Sequence, residues 1–347
     1  MINGIEPMLT VTDFDYDLPE TLIAQTPIEP RDASRLLVLN RQTGNLQHRI
    51  FRDVVEYLRP GDLLIANDTK VMPARLIGRR SDSGGKVEVF LLHRLSQDRW
   101  EVLVKPGKKM RPGQTALFGD SLSCEIQETT EYGGRIARFS YDGLFENVLE
   151  QLGETPLPPY IHEKLSNPDR YQTIYAREQG SAAAPTAGLH FTPELMAAVR
   201  AQGADFAFVT LNIGLGTFRP VRIENLAEHV MHREYYSVST ETVNRILQTK
   251  QDGGRVVAVG TTAVRTLESA ARSGTLTAGC GWSDLFIYPG FSFQVIDALI
   301  TNFHLPQSTL LMLISAFAGT AHVKEAYREA VLLKYRFFSF GDAMFIE

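Results

Sequence analysis

The sequence has little cysteine, no long apolar run and no signal-like start, and each absence removes a class of protein. Cys124 and Cys280 are its only cysteines among 347 residues, too few for a disulfide framework and in keeping with a reducing cytoplasm. The longest apolar run, residues 309–318, has about half of the ~20 residues that a membrane-spanning helix needs. The acidic N-terminus lacks the basic and apolar stretches of a signal peptide. We therefore expect a cytoplasmic protein that does not enter a membrane.

Two common nucleotide-binding patterns and a full set of metal ligands are missing as well. The chain contains neither G-x-G-x-x-G nor G-x-x-x-x-G-K-[ST], so NAD binding and P-loop nucleotide binding are not supported. His229 and His232 with Glu234 are spaced like half of a metal site, but no further histidine or cysteine stands at a familiar spacing. We expect no metal. A metal-dependent hydrolase that uses these three residues is the alternative.

Positive charge is scarce overall but concentrated in one segment. The net charge is −5, which by itself argues against a nucleic-acid partner. From Lys70 to Arg111, however, eleven lysines and arginines stand against four acids. Such asymmetry is typical of a phosphate-facing module on an acidic body, although a solvated β surface rich in lysine gives the same pattern.

The same region reads as a run of short strands. Between residues 70 and 142, five or six strand-like segments are separated by Gly-Gly, Pro-Gly or Gly-Asp turns, a spacing that favours a small barrel. On either side, strands alternate with helical segments, which favours a parallel sheet covered by helices. We predict an α/β fold with a mostly parallel sheet, helices on its faces and an inserted small β-barrel. Residues 1–69 and 143–347 form the discontinuous α/β domain, and residues 70–142 form the barrel domain.

Four turns in the later part of the chain are rich in glycine, threonine or histidine. They are residues 180–191, 213–221, 259–268 and 297–309. Ligands of open α/β sheets bind outside the carboxyl ends of the strands, and two of these turns directly follow predicted strands. We expect the four loops to converge on one pocket.

The turn at residues 260–262 suits an anion. Thr261 or Thr262 is expected to cap the helix that follows, whose free N–H groups and dipole attract negative charge. Arg265 lies one turn further on and can hold a carboxylate or phosphate in a bidentate fork. The alternative is an ordinary surface helix in which Arg265 pairs with Glu268.

Two histidines and two aspartates are candidates for proton transfer. His190 and His304 follow small-residue or Thr-Asn turns, where histidine can act as an acid or base near neutral pH. A packed core histidine is the alternative for each. Asp297 and Asp342 lie among apolar residues, so each carboxylate must be hydrogen-bonded or paired and is a candidate for a tuned base.

The order of these motifs resembles the S-adenosylmethionine:tRNA ribosyltransferase-isomerase family of queuosine biosynthesis. The resemblance covers residues 13–346 and depends above all on AAAPTAGLHF joined to TNFHLPQSTL. Further matching stretches are DFDYDLPE, GDLLIANDTKVMPARL, TLNIGLGTFRPV, HVMHREYY, VGTTAVRTLES and YRFFSFGDAM. One position departs from the family pattern: Asn212 stands where the family usually has histidine, and asparagine cannot take up a proton as histidine does.

The resemblance implies an α/β body with an inserted barrel, acting as a cytoplasmic monomer. It implies that S-adenosylmethionine is consumed as a ribosyl donor. The acceptor is the aminomethyl group of 7-aminomethyl-7-deazaguanine at the wobble position of tRNA. Rearrangement then gives epoxyqueuosine, with release of adenine and methionine.

For this chemistry we assign roles by residue type. The acid and base candidates are His190, His304 and Asp297. The residues expected to bind the cosubstrate are Gly214, Gly216, Thr217, Thr261, Thr262, Arg265 and Asn302. The residues expected to meet tRNA are Lys105, Lys108, Lys109, Arg111, Tyr160 and Tyr171, the tyrosines by stacking on a base unless they pack beneath a loop. A non-catalytic RNA-binding protein is the other alternative, but it leaves the four turns without a purpose.

Overall fold

The structure is a computed structural model that describes residues 9–130, 133–163, 165, 167–214 and 226–347. These residues form two units. The first holds the described residues up to Asp68 together with Pro159–Arg177 and Pro185–Glu347, and the second holds Thr69–Pro158 and Glu178–Ala184. In the described ranges, no helix is both long and apolar enough to cross a membrane.

The first unit combines helices with strands, whereas the second is built mainly of strands. The strands are β1 (Arg35–Leu39), β2 (Leu46–Ile50), β3 (Leu63–Asn67), β4 (Thr69–Val71), β5 (Arg75–Arg80), β6 (Lys86–Arg94), β7 (Arg99–Lys105), β8 (Thr115–Phe118), β9 (Leu122–Thr129), β10 (Arg135–Tyr141), β11 (Gly153–Glu154), β12 (Glu178–Ser181), β13 (Asp205–Leu211), β14 (Glu234–Val238), β15 (Val256–Val259), β16 (Gly279–Ser283), β17 (Ala298–Asn302) and β18 (Ala343–Ile346). The α-helices are α1 (Phe145–Leu152), α2 (Pro193–Ala201), α3 (Thr240–Gln251), α4 (Thr261–Ala270), α5 (Thr309–Ala318) and α6 (Thr320–Leu332). Short 3-10 helices cover Val11–Phe14, Glu20–Leu22, Arg31–Ala33, Phe51–Tyr57, Gly107–Lys109, Pro168–Tyr171, Thr186–His190 and Leu226–Glu228.

The main sheet of the first unit is mixed. Its strands, as far as the chain is described, lie in the order β16-β14-β13-β3-β15-β17-β18-β1-β2. The pairs β13–β3, β3–β15, β15–β17 and β18–β1 are parallel, and the other four pairs are antiparallel. The prediction of a mostly parallel sheet is therefore not confirmed. A short connection sets the direction of the edge strand β2. It is joined to β1 by a tight turn with Gly44 at φ +75°, and such a turn permits only antiparallel pairing.

Both faces of this sheet are apolar because helices cover both of them. On one side, α4, α5 and α6 pack against alternate strand residues such as Ile65 and Leu299. On the other side, α2 and the 3-10 helix Phe51–Tyr57 pack against Leu64 and Ile300. Along the central strands β3, β15 and β17, successive side chains therefore alternate between two separate cores.

Six antiparallel strands of the second unit, within the described residues, close into a barrel. Their order is β5-β6-β7-β10-β9-β8, and β8 pairs back with β5. Val87, Val89 and Leu91 of β6 alternate into the interior and are fully buried. Where the barrel closes, a Cβ on Gly78 would lie 2.3 Å from the carbonyl oxygen of Leu117. Only glycine allows the two strands to approach so closely at this point.

The second unit extends beyond the predicted residues 70–142. Helix α1 belongs to it because Phe145 packs against Trp100, Phe139 and Tyr141, with ring centroids 5.5, 5.3 and 4.8 Å apart. Strand β12 belongs to it because β12 pairs in parallel with β4. The sequence pattern shows that α1 has an apolar face, but it does not show which neighbour covers that face.

Candidate active site

Four neighbouring strands of the main sheet end at the same edge. Strands β13, β3, β15 and β17 run parallel to one another, so their carboxyl ends lie side by side. Asp68, Asn212, Gly260 and Asn302 stand at or just after these ends. This is the edge at which α/β sheets bind their ligands. Gly216 and Thr217 belong to residues 215–225, which lie outside the described residues.

His190, at the end of the 3-10 helix Thr186–His190, reaches this edge. Its Nε2 lies 3.1 Å from Asn302 Nδ2 and its Nδ1 lies 2.7 Å from Ser34 Oγ. The ring stacks on Phe51 with centroids 4.8 Å apart. Burial is the main cause that lowers the pKa of His190 to about 3. The imidazole is therefore neutral at neutral pH.

The turn at Gly260 touches the same segment. Gly260 has φ +88°, and a Cβ on it would lie 3.5 Å from the Cβ of Ala187. Its N–H donates to the carbonyl of Ile300 in β17 at 2.8 Å. The structure thus places three predicted loops side by side: those that contain His190, Gly260 and Asn302.

The N-terminus of helix α4 is not capped by its own N-cap residue. That residue is Gly260, which has no side chain to accept a hydrogen bond from the first turn. The prediction that Thr261 or Thr262 caps the helix is wrong, because both lie inside the first turn. Thr262 Oγ1 is buried and, among the described residues, has no hydrogen-bond partner. The first-turn N–H groups carry partial positive charge, so this end of α4 suits an anionic or hydrogen-bonding ligand.

Arg265, Glu234 and Gly214 form one cluster. The side chains of Arg265 and Glu234 are 5% and 3% exposed and form an ion pair between Arg265 Nη1 and Glu234 Oε2. Glu234 Oε1 accepts the backbone N–H of Gly214 at 3.1 Å. Arg265 Nε donates to the carbonyl of Leu285 at 3.3 Å. Arg265 Nη2 has no partner in the described part of the chain.

The alternative in which Arg265 pairs with Glu268 is wrong. The Glu268 carboxylate instead accepts the backbone N–H groups of Gln294, Val295 and Ile296 at 2.9, 3.0 and 3.3 Å. Burial raises the pKa of Glu268. Glu268 therefore holds the segment that leads into β17, and the partner of Arg265 comes from β14.

His304 lies on the opposite face of the sheet from His190. Its Nε2 lies 2.8 Å from Thr301 Oγ1, and Tyr327 of α6 is hydrogen-bonded to its backbone N–H at 2.9 Å. Thr301 and Asn302 are successive strand residues and point to opposite faces. Burial lowers the pKa of His304 to about 3. The two histidines are therefore brought to the same strand but not to the same surface.

Neither aspartate candidate is placed beside His190 as a base. Asp297 precedes β17, at the opposite end of the strand from Asn302, and its Oδ2 accepts the N–H of Val256 at 2.8 Å. Asp342 is fully buried and accepts the backbone N–H groups of Arg35 and Arg336 at 2.9 and 2.8 Å. Both carboxylates hold strands in place.

Two residues at the end of β3 belong to the edge, although the sequence pattern alone suggested no role for them. The Asn67 side chain bonds both the N–H and the carbonyl of Leu211, each at 3.0 Å, and so joins β3 to the end of β13. Asp68 accepts Thr210 Oγ1 and Arg177 Nη2, each at 2.8 Å. The signal was available in the sequence: a polar Asn-Asp-Thr triplet directly follows a buried strand.

The residues of the metal half-site are not brought together as a set of ligands in the described part of the chain. Within the described residues, no three histidine, cysteine, aspartate or glutamate side chains form a group that could hold a metal ion. Glu234, the third ligand of that alternative, is bonded to Arg265 and Gly214. His229 packs edge-on against Phe286, with ring centroids 4.9 Å apart.

Comparison with known proteins decides the family. The family described as "Queuosine biosynthesis protein" matches residues 11–346. The chain belongs to this queuosine biosynthesis family. Two curated relatives, both named S-adenosylmethionine:tRNA ribosyltransferase-isomerase, cover 97% of this chain and 100% of their own length. The protein of Symbiobacterium thermophilum is 60% identical, and that of Staphylococcus haemolyticus is 56% identical.

A solved structure is also similar to this member of the queuosine biosynthesis family. The crystal structure of an S-adenosylmethionine tRNA ribosyltransferase from Thermotoga maritima is 44% identical in sequence and has a TM-score of 0.57. The match covers 96% of this chain and 100% of that one.

In this member of the queuosine biosynthesis family, the four predicted cations lie in one short segment of the second unit, residues 105–111, which runs from the last residue of β7 through a 3-10 helix and is called the cationic loop below. Lys105, Lys108, Lys109 and Arg111 are all exposed. Arg111 Nε donates to the carbonyl of Lys108 at 3.2 Å, and the described residues contain no ion pair with any of the four. Lys105 faces Glu88 across β6 and β7 and helps to lower the pKa of that carboxyl.

The two predicted stacking tyrosines are engaged within the first unit. Tyr171 is 0% exposed and packs edge-on against Phe340, so no face is open to a base and the stacking prediction is wrong. Tyr160 is half-buried, with its hydroxyl 2.7 Å from Ser339 Oγ and its ring 4.8 Å from that of Phe338. Both tyrosines therefore pack against other side chains of the first unit, as the alternative to base stacking expects.

Proposed function

We propose that this chain is an S-adenosylmethionine:tRNA ribosyltransferase-isomerase. It moves the ribosyl part of S-adenosylmethionine onto the aminomethyl group of 7-aminomethyl-7-deazaguanine in tRNA and isomerises it to epoxyqueuosine. Adenine and methionine leave, so S-adenosylmethionine is a consumed substrate. The observation that carries the proposal is the 60% identity to a relative of that name across its whole length.

The carboxyl edge of the main sheet supports a ligand site in the first unit. Buried polar atoms are nearly always hydrogen-bonded in folded proteins, and each one left without a partner costs ~1–3 kcal/mol. Within the described residues, Thr262 Oγ1, Arg265 Nη2 and Asn302 Oδ1 are buried without one. All three belong to elements at this edge. A bound substrate would supply the missing partners.

The cluster of Arg265 and Glu234 suits the amino-acid end of S-adenosylmethionine. An α-amino acid carries an ammonium group next to a carboxylate, and a buried arginine–glutamate pair offers the complementary charges. Within the described residues, Arg265 Nη2 is buried without a hydrogen-bond partner, so its N–H groups can donate to the carboxylate. The uncapped first turn of α4 adds further donors.

The exposed cations of the barrel unit suit the tRNA. Lysine and arginine bind phosphates without reading sequence, and the loop 105–111 presents four of them. We expect the protein to act on tRNA in the cytoplasm as a monomer. Light scattering of the purified protein tests the oligomeric state.

The reaction is tested by release of adenine. The purified protein is mixed with S-adenosylmethionine and tRNA that carries 7-aminomethyl-7-deazaguanine, and free adenine is measured together with modified tRNA. We expect equal amounts of both products, and none with tRNA that lacks the modified base. A protein that binds this tRNA but releases no adenine would be a non-catalytic RNA-binding protein, and the proposal would fail.

The amino-acid site is tested with two inhibitors that differ only at that end. S-adenosylhomocysteine keeps the amino acid, whereas 5′-methylthioadenosine lacks it. We expect the wild type to bind the first more tightly, and Arg265→Gln to lose this preference by ~10–100-fold, as for the loss of a charged hydrogen bond. Arg272→Gln is the control, because Arg272 follows the same helix but its side chain is 69% exposed. An unchanged preference in Arg265→Gln would exclude the site.

A further inference from the structure

The orientation of the Asn302 amide is fixed by its neighbours. One end of the amide lies 3.1 Å from His190 Nε2, 3.2 Å from the carbonyl of Phe338 and 3.5 Å from the carbonyl of Asp342. Carbonyl oxygens only accept hydrogen bonds, so this end must be the NH2 group. The other end is therefore the acceptor Oδ1.

Asn302 Oδ1 is unusual because it is a buried acceptor without a hydrogen-bond partner in the described residues. Asn302 is only 3% exposed, and Oδ1 has no hydrogen-bond partner among the described residues. Asn302 ends β17, where it stands at the carboxyl edge next to the Gly260 turn. A buried amide oxygen at a ligand-binding edge is a specific acceptor for one N–H or O–H group.

Both nitrogens of His190 are already occupied. Because Asn302 Nδ2 donates to Nε2, the imidazole proton is on Nδ1 and is donated to Ser34 Oγ. The ring stacks on Phe51. Burial first, and then the charges of Arg31 and Arg336, lower the pKa of the ring. Taking up a proton at Nε2 would break the bond to Asn302 and place a charge beside two arginines.

We propose that Asn302 contacts the substrate through Oδ1, and that His190 is a positioning residue that holds the Asn302 amide in this orientation. The inference depends on the proposed function, since it concerns a residue of that site. The chemistry recognised is a single hydrogen-bond donor, an N–H or O–H group. The donor belongs either to the sulfonium nucleoside or to the modified base of the tRNA.

Substitution of His190 separates positioning from acid–base chemistry. Glutamine places an amide oxygen where it can accept from Asn302 Nδ2, whereas alanine cannot. We expect His190→Gln to keep kcat within ~10-fold of wild type and His190→Ala to lose ~100-fold, as for one buried hydrogen-bonding arrangement. The pH dependence of kcat/KM should have the same limbs in wild type and His190→Gln. If His190→Gln is folded but as inactive as His190→Ala, or loses a limb of the pH profile, the positioning role is overturned.

Asn302→Ala tests the contact itself. A raised KM for S-adenosylmethionine assigns the donor to the nucleoside, and a raised KM for tRNA assigns it to the base; either result supports the contact. If both KM values and kcat are unchanged, Asn302 does not touch the substrate.

A measurement on the wild-type protein guards against variants that do not fold. The 15N signals of the His190 ring should report the neutral form protonated on Nδ1 from pH 5 to pH 8. A titration near pH 7 would overturn the inference. Failure of the proposed function is distinguishable, because wild-type protein would then release no adenine whatever the state of His190.

Discussion

At the scale of single residues, contacts that are distant in sequence decide what the site contains. Spacing along α4 made Glu268 the natural alternative partner for Arg265, but the actual partner, Glu234, is 31 residues away in sequence. Tyr171 has an aromatic ring suited to stacking, and only the fold shows that the ring is fully buried. The residue types of the site were predictable from sequence, whereas their partners were not.

Gly188 shows how tightly the 3-10 helix Thr186–His190 is packed. A Cβ on Gly188 would lie 2.1 Å from the hydroxyl oxygen of Tyr175 and 2.8 Å from Thr173 Cγ2. We expect Gly188→Ala to lower the free energy of unfolding by ~1–3 kcal/mol through overpacking. Urea unfolding monitored by circular dichroism measures this loss.

Removing the obstructing atom should reverse part of that loss. Tyr175→Phe deletes the hydroxyl, so the double variant with Gly188→Ala should be more stable than Gly188→Ala alone. Gly85→Ala is the matched control, because among the described residues a Cβ there meets only Ser83 Oγ, at an ordinary 3.5 Å. Equal losses in Gly188→Ala and Gly85→Ala would contradict the steric explanation.

At the scale of elements, local capping signals locate the starts of α2 and α5 but misplace the cap of α4, and they do not determine how distant strands pair. Helices α2 and α5 begin directly after Thr192 and Ser308, residue types that favour the N-cap position. Each hydroxyl accepts an N–H three residues on, at 3.1 and 3.2 Å. The direction of strand pairing depends instead on where distant strands lie. For the same reason α1, whose apolar face packs in the barrel unit, was predicted in the other domain.

The cationic loop of the barrel unit gives a prediction at this scale. Replacing Lys105, Lys108, Lys109 and Arg111 with glutamine should weaken tRNA binding at low salt. It should also flatten the plot of log affinity against log salt by up to ~0.7–0.9 for each phosphate that the variant no longer binds. Titration of labelled tRNA at several salt concentrations measures both effects.

An equally exposed set of charges serves as the control for the loop. Lys324→Gln with Arg328→Gln removes two exposed cations of α6 and should leave the salt dependence unchanged. If this pair lowers the slope as much per charge as the loop does, the loop has no special part in RNA binding.

At the scale of the whole molecule, buried neutral histidines make stability depend on pH. Burial lowers the pKa of His190 and of His304 to about 3, whereas an unfolded histidine titrates near ~6.5. The unfolded chain therefore binds these protons first, and stability falls as the pH drops below 6.5. Between pH 7.5 and pH 5, each histidine should lower the free energy of unfolding by about 2 kcal/mol. Glu268, whose pKa is raised by burial, binds a proton more readily in the folded chain and therefore offsets part of this loss.

The urea midpoint across this pH range measures the loss. His190→Gln removes one of the two groups and should reduce the change in unfolding free energy by about half of the histidine contribution. A wild-type midpoint that stays constant from pH 7.5 to pH 5 would show that neither histidine is held neutral.

The position of β18 in the main sheet constrains how the protein is made. β18 lies between β17 and β1, and Asp342, just before β18, holds Arg35, 307 residues earlier in the sequence. On a ribosome, β1 and β2 therefore wait through synthesis of the barrel unit and most of the main sheet before their neighbour emerges. Until then, the edge of β1 that will pair with β18 has unpaired backbone N–H and C=O groups, and the apolar side chains of β1 are uncovered. Chaperones can bind such a surface.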